Sequence, residues 1–229
     1  MNRKGGDLEK LKKLIPGYAV APLVISLVMN MVTYFGTRLF TQDMRHYNLS
    51  CAIDDKIPFV SSMIWIYILA YVAWIVGFIV IARESRQVCY EVLMGEQIAK
   101  FICLILFITV PTTIVRPEIT GNSISDWVTG LIYMLDSPDN LLPSVHCLES
   151  WICFRGALRC KKMGRGYRWI MFISAILVFA STVMVKQHVV ADIVAAVIAV
   201  EVGLLIAKRF NVYKVIENRK QSIKEQHEG

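Results

Sequence analysis

The sequence predicts an all-α, polytopic membrane protein: a bundle of six transmembrane helices with both termini in the cytoplasm. Three observations lead there. Of the 229 residues 55% are hydrophobic and only 19% are charged. The apolar residues come in repeated runs of about 18 residues or more, the length a helix needs to cross the hydrocarbon layer. The basic residues gather in alternate flanks between those runs. A single membrane domain over residues 1–229 is expected, with no separate soluble module.

The runs place spans at 18–36, 58–82, 98–115, 143–159, 168–186 and 189–207. Lys10, Lys12 and Lys13 precede the first run, "YAVAPLVISLVMNMVTYF", in the manner of a signal sequence. That run is longer than a typical signal core and no small-x-small cleavage site follows, so it is expected to stay as the first span. The second run is long enough to tilt. The fourth, "PSVHCLESWICFRGAL", is the least apolar and carries His146, Glu149 and Arg155. A helix that polar does not face lipid all round; it packs inside the bundle or lines a cavity. Glu149 and Arg155, with Glu201 in the sixth run, are expected to serve in packing or in interhelical polar contacts. Between the third and fourth runs, "SISDWVTGLIYML" (123–135) opens on Ser123 with Asp126 three residues on, a capping box. Its Trp and Tyr suit either an interfacial helix or a loop helix covering the bundle.

The basic residues orient the chain. All but Arg38, Arg45, Lys56, Arg116 and Lys186 fall in segments on one side, Lys100 being assigned there beside Arg83 and Arg86. The positive-inside rule makes that side cytoplasmic and puts 37–57, 116–142 and 187–188 outside. The same distribution explains the net charge of +7 without nucleic acid, which is not expected as a partner. The six cysteines, Cys51, Cys89, Cys103, Cys147, Cys153 and Cys160, show no CxxC pair or metal-ligand spacing and are expected to serve as small apolar fillers.

Polar residues from separate runs then converge on the outer edge. Arg116, followed by Pro117, ends the third run, and Ser144 and His146 open the fourth. Lys186 ends the fifth, while His188 and Asp192 open the sixth. His188 and Asp192 are four apart, on one helical face, where a carboxylate fixes the tautomer of an imidazole and leaves its other nitrogen free to attack or bind. His146 supplies a second imidazole for proton transfer. Arg116 and Lys186 add positive charge, which suits a phosphate better than a neutral carbonyl. A metal site of His146, His188 and Asp192 is also permitted by the sequence, though the two cations disfavour it.

These blocks resemble the type-2 phosphatidic acid phosphatase and haloperoxidase superfamily, whose pattern is KxxxxxxRP, PSGH and SRxxxxxHxxxD. The matching stretches are "TVPTTIVRP" (109–117), "PSVH" (143–146) and "STVMVKQHVVAD" (181–192), in the same order and on a similar six-span layout. Thr109 stands at the family's lysine, Val145 at its glycine and Thr182 at its arginine. Lys186, one helical turn beyond Thr182, is expected to restore the missing charge. "STxxxKQHxxxD" with "DNLLPSVH" is similar to the inositol phosphorylceramide synthase-like branch, which includes transferases.

The resemblance implies a metal-independent lipid phosphatase without cofactor. It would hydrolyse a lipid phosphomonoester or diphosphate, of the phosphatidic acid, phosphatidylglycerol phosphate or polyprenyl diphosphate type, through a phosphohistidine. His188 would be the nucleophile, Asp192 its support, and His146 the proton donor to the leaving oxygen. Arg116, Lys186 and Ser144 would hold the phosphate oxygens. The expected setting is a bacterial cell membrane with the site on its extracytoplasmic side, and the expected partners are the lipid phosphate and the surrounding lipids. Two alternatives stand beside it: transfer of a phospho-headgroup between lipids, and an anion or proton-coupled transporter.

Overall fold

A computed structural model describes residues 14–219, and these are almost entirely helical. Helix α1 (Gly17–Met31) passes through a π-turn at Val32–Gly36 into α2 (Thr37–Thr41), and the three form one continuous apolar rod. A short β1 (Tyr47–Asn48) and α3 (Ala52–Lys56) follow. A 3₁₀ turn at Ser61–Met63 then leads into α4 (Ile64–Glu84), and α5 (Arg86–Thr109) runs back. After β2 (Thr112–Thr113) come α6 (Ile124–Leu135), α7 (Val145–Arg159), α8 (Arg165–Met184) and α9 (Val190–Arg209). β1 and β2 pair in parallel, Tyr47 against Thr112, which ties the α2–α3 connection to the α5–α6 connection.

Five of these rods are long and apolar enough to cross a membrane: Gly17–Thr41, Ser61–Glu84, Arg86–Thr109, Arg165–Met184 and Val190–Arg209. The expected fourth span is α7, whose 15 residues reach about 22 Å, short of a hydrocarbon layer of about 30 Å. It lies at the centre instead, packed against α4, α5, α8 and α9. Cys147, Leu148, Ile152, Cys153 and Ala157 are fully buried in the main core with Ile81, Val92, Phe107 and Val200. A helix enclosed by neighbours tolerates polar residues because they supply its partners.

The third span begins earlier than expected, at Arg86, where Ser85 caps the helix by accepting the Val88 N–H at 3.2 Å. Lys100 is consequently no flanking charge. It sits fourteen positions into α5, 1% exposed, and its Nζ bonds Glu96 and Glu149 Oε1 (2.7 Å) and the Ser26 carbonyl (3.1 Å). Hydropathy missed this because a lysine in an apolar run reads as a run's end, while buried carboxylates on α5 and α7 make it an interior ion. The expected interhelical contacts of α7 form: Glu149 to Lys100, and Arg155 to Glu201 at 2.6 Å.

α5 and α9 cross in close contact. A Cβ at Gly203 would lie 2.2 Å from the Gly95 carbonyl oxygen, so glycine here lets two backbones touch, as in tight crossings of membrane helices. At the far end of the bundle, Glu84 accepts the backbone N–H groups of Lys161 (2.9 Å) and Lys162 (3.1 Å), fastening the α7–α8 turn to α4. Five of the six cysteines are buried and free; Cys51, at the start of α3, is exposed rather than a core filler.

Candidate active site at one end of the bundle

The α8–α9 turn is built by backbone bonds to the last turn of α8. Gln187 and His188 both donate their N–H to the Thr182 carbonyl, at 3.0 and 3.1 Å. This sharp reversal requires a left-handed residue, and Lys186 takes it at φ 51°. The result points Gln187 and His188 back over the bundle instead of continuing the helix.

His188 therefore precedes α9 and does not share a helical face with Asp192, which is the third residue of that helix. They meet through capping. The Asp192 carboxylate accepts the Val189 N–H at 3.0 Å and contacts His188 Nδ1 at 3.1 Å, both through Oδ2. Asp192 is fully buried and its Oδ1 has no protein partner. With Nδ1 directed at the carboxylate, His188 Nε2 is the nitrogen left for chemistry. His188 lines a cavity of about 490 Å³ together with Arg116, Lys186, Val183 and the 54–59 segment.

Arg116 lies in an extended stretch beyond α5, which ends at Thr109. Its Nη1 donates to the carbonyls of Tyr133 (3.2 Å) and Asp136 (2.5 Å), its Nη2 donates to Gln187 Oε1, and its guanidinium stacks 4.6 Å from the Tyr133 ring. Burial holds this guanidinium below its ordinary value, the signature of a partly desolvated charge, while Tyr133, Tyr67 and Asp139 pull it the other way. Gln187 is the glutamine of the "KQH" stretch and is 1% exposed, and nothing in its spacing points to the bond with Arg116.

Lys186 reaches the same cavity but is anchored elsewhere than expected. Its Nζ donates to the carbonyls of Asp54 (2.9 Å) and Ile57 (2.7 Å), at the C-terminal end of α3. The charge is thus placed at the C-terminal end of α3, where the Asp54 carbonyl also accepts the Ile57 N–H at 3.3 Å. Lys186 also leaves the α8 helical face, so it does not lie one turn above Thr182. Thr182 is fully buried, bonded to the Phe179 carbonyl at 2.8 Å and 3.6 Å from Cys147 Sγ, which leaves no room there for an arginine-sized group.

Asp54 is the second residue that sequence reasoning passed over. Its Oδ1 accepts the Val190 N–H at 2.8 Å and its Oδ2 the Cys51 N–H at 2.9 Å, linking the loop before α4 to the start of α9. Burial pushes its carboxyl up, but the bonds from Val190 and Cys51 outweigh that and hold it below the usual carboxylate range. Asp55 stands exposed beside it on the cavity rim.

Ser144 and His146 open α7 next to this turn. Ser144 is the N-cap: its Oγ accepts the Cys147 N–H at 3.3 Å and its own N–H bonds the Asp192 carbonyl at 3.2 Å, so the starts of α7 and α9 are stitched together. It is fully buried and does not line the cavity. His146 stacks on Tyr67 (3.9 Å, 20°) with Trp74 and Tyr71 edge-on, and its Nε2 is buried without a partner. It is not among the residues that line the His188 cavity. Upstream, Thr112 Oγ1 accepts the Leu141 and Leu142 N–H groups at 3.0 Å, and Arg38 clamps Asp136 (3.2 Å) and Asp139 (2.7 Å), which fixes the approach to α7. The capping box at Ser123 and Asp126 forms as expected and starts α6.

Among the described residues no three His, Cys, Asp or Glu side chains converge as a metal-ligating set, so the grouping of His146, His188 and Asp192 that the sequence permits does not arise. The assembled chemistry is an imidazole backed by a carboxylate, opening on a cavity whose other charged walls are Arg116 and Lys186 on one hand and the carboxylates of Asp54 and Asp55 on the other. No protein-family model, curated protein or solved structure matches the chain.

Proposed function

We propose that the protein is an integral membrane lipid phosphatase that works without a metal through a phosphohistidine. The single observation carrying this reading is the His188–Asp192 pair on a cavity shared with Arg116 and Lys186. His188 Nε2 attacks phosphorus, the bond from phosphorus to the lipid oxygen breaks, and Asp192 stabilises the imidazolium character that develops. His146 donates the proton to the departing oxygen. Water then attacks the phosphohistidine, its proton returns to His146, and inorganic phosphate leaves. Arg116 and Lys186 offset the phosphate charge, and Ser144 acts by capping α7 and tying it to α9. In a membrane the cavity sits at headgroup depth, which suits phosphatidic acid, phosphatidylglycerol phosphate or a polyprenyl diphosphate.

The proposed topology has six membrane-embedded helices, α7 being the short central one, with both termini cytoplasmic and the cavity on the extracytoplasmic face of a bacterial cell membrane. Removing Lys100 from the flanking charges leaves the asymmetry intact, since the remaining basic flanks stay on one side. Cys51, the exposed cysteine beside the cavity, reports this directly. A membrane-impermeant maleimide should label it in intact cells; labelling only after permeabilisation would reverse the orientation.

The chemistry is tested with purified protein and ³²P-labelled lipid phosphates, with and without chelator. Phosphate release that survives chelator, with an acid-labile phosphoprotein, should vanish in His188→Ala and fall about 100-fold or more in Asp192→Asn. A labelled lipid product in place of inorganic phosphate would identify a transferase. Anion flux retained in His188→Ala without any phosphate release would sink the enzyme reading.

A further inference from the structure

The opposite end of the bundle carries a second feature that the phosphatase reading does not use. At the start of α8 a groove of about 400 Å³ is lined by Phe154, Leu158, Arg165, Arg168, Trp169 and Phe172. Its walls differ from those of the neighbouring groove of Ile66, Leu69, Ile170, Ile173 and Leu177, which has no charged residue. Two guanidiniums sit at its mouth and aromatic rings continue inward, with Phe154 and Phe172 centroids 5.1 Å apart and Trp169 5.9 Å from Phe172.

Three observations show that the mouth is short of negative charge. Arg165 is exposed and has no hydrogen-bond or ion-pair partner among the described residues. Arg168 is fixed by one bond from Nη2 to the Cys160 carbonyl at 3.2 Å, and its Nε is buried with no acceptor. The first turn of α8 has no side-chain cap, because its N-cap is Gly164, and a Cβ built at Gly164 or Gly166 would meet nothing within 4 Å. Uncapped N–H groups, open space and two arginines make a place for a phosphate. No acidic residue occurs between Lys161 and Met184 to compete for it. Trp169, 63% exposed, marks the membrane–water boundary at the same level.

We propose that this groove binds an anionic glycerophospholipid, with its phosphate between Arg165, Arg168 and the start of α8 and one acyl chain along Phe154, Leu158 and Phe172. A soluble anion would use only the mouth, and a neutral lipid only the aromatic wall; the joined charge and apolar length select a lipid carrying both. The site is a full α8 length away from His188 and does not depend on the chemistry proposed there.

The test uses full-length protein delipidated in neutral detergent and titrated with phosphatidylglycerol or phosphatidylcholine brominated on an acyl chain. Quenching of Trp169 is read as the difference between wild type and Trp169→Phe. Phosphatidylglycerol should quench at lower concentration than phosphatidylcholine, by about fivefold for each arginine engaged. Arg165→Gln, at an exposed position, should cut the preference by about fivefold with an unchanged unfolding midpoint, and Arg165→Lys should keep it. Arg165→Gln with Arg168→Gln should abolish it. Equal quenching by the two lipids, or an undiminished preference in the double variant, would overturn the proposal. So would inorganic phosphate displacing the lipid with an affinity equal to that of phosphatidylglycerol, because the acyl contact would then add nothing.

Discussion

Lys186 makes two separable contributions, and two substitutions tell them apart. Its ammonium donates to the Asp54 and Ile57 carbonyls at 2.9 and 2.7 Å, and its backbone occupies φ 51°. A hydrogen bond from a charged donor contributes about 1.5–3 kcal/mol when well buried. The freed carbonyls face the open cavity, where water replaces the donor, so about 1 kcal/mol for each bond is the sounder figure. Lys186→Met should therefore destabilise the protein by about 2 kcal/mol, and at about 2–4 °C per kcal/mol for a chain of this size lower Tm by about 4–8 °C. Lys186→Gly loses the same two bonds but relieves the left-handed conformation, regaining about 1 kcal/mol. Thermal unfolding followed by intrinsic fluorescence in detergent should rank wild type above Lys186→Gly above Lys186→Met. Phosphate release, on the proposed function, should fall by a similar factor in both variants, because both lack the charge. A Lys186→Met protein as stable as wild type would refute the anchor. Equal stability of the two variants would refute the backbone argument.

Further outcomes concern other parts of the molecule. Gly203→Ala should destabilise by about 3 kcal/mol, the upper end for overpacking, because its new Cβ meets backbone at 2.2 Å; a denaturation series checks it. Lys100→Met leaves Glu96 and Glu149 buried without their cation and should cost about 3–5 kcal/mol, read as lost folded yield and Tm, with Glu96→Gln in the same chain recovering part of the loss. The Asp54 carboxyl is held below its ordinary value of 3.8, so its contribution is fully present above about pH 3.8 and is lost as pH falls through the lower folded value. Protection of the Val190 amide, which bonds Asp54 Oδ1, measured against its intrinsic exchange rate at each pH, should accordingly fall on strong acidification, and in Asp54→Asn it should be low already at neutral pH. Asp55→Asn, removing an exposed carboxylate from the cavity rim, should lower KM for an anionic substrate by about two- to fivefold at low salt, an effect that 0.5 M salt erases.

The five long rods were legible in the sequence because membrane crossing is a local property: a run of apolar side chains of sufficient length carries it without reference to the rest of the chain. The same holds for the Ser123–Asp126 cap, made by residues three apart. The polarity of the fourth run correctly announced a buried helix, since His146, Glu149 and Arg155 leave no face for lipid. The pairing of His188 with Asp192 was also readable from spacing, although the contact arises from a helix cap instead of a shared face.

What only the tertiary structure decided are the directions of long side chains and the partners of buried charges. Lys186 was expected to replace an arginine at Thr182, but its acceptors lie 129 and 132 residues away, and no local pattern encodes them. Asp54 carries no motif and the "KQH" stretch does not say what Gln187 bonds; both matter because a turn and a loop from distant parts of the chain meet at the start of α9. Lys100 looked like a flank until α1 and α7 brought Ser26 and Glu149 around it. The amino-acid sequence alone determined which segments prefer the bilayer and which polar residues stand at their ends. Packing decided which of those residues face a cavity and which anchor the scaffold, because the cost of burying a charge depends on what meets it.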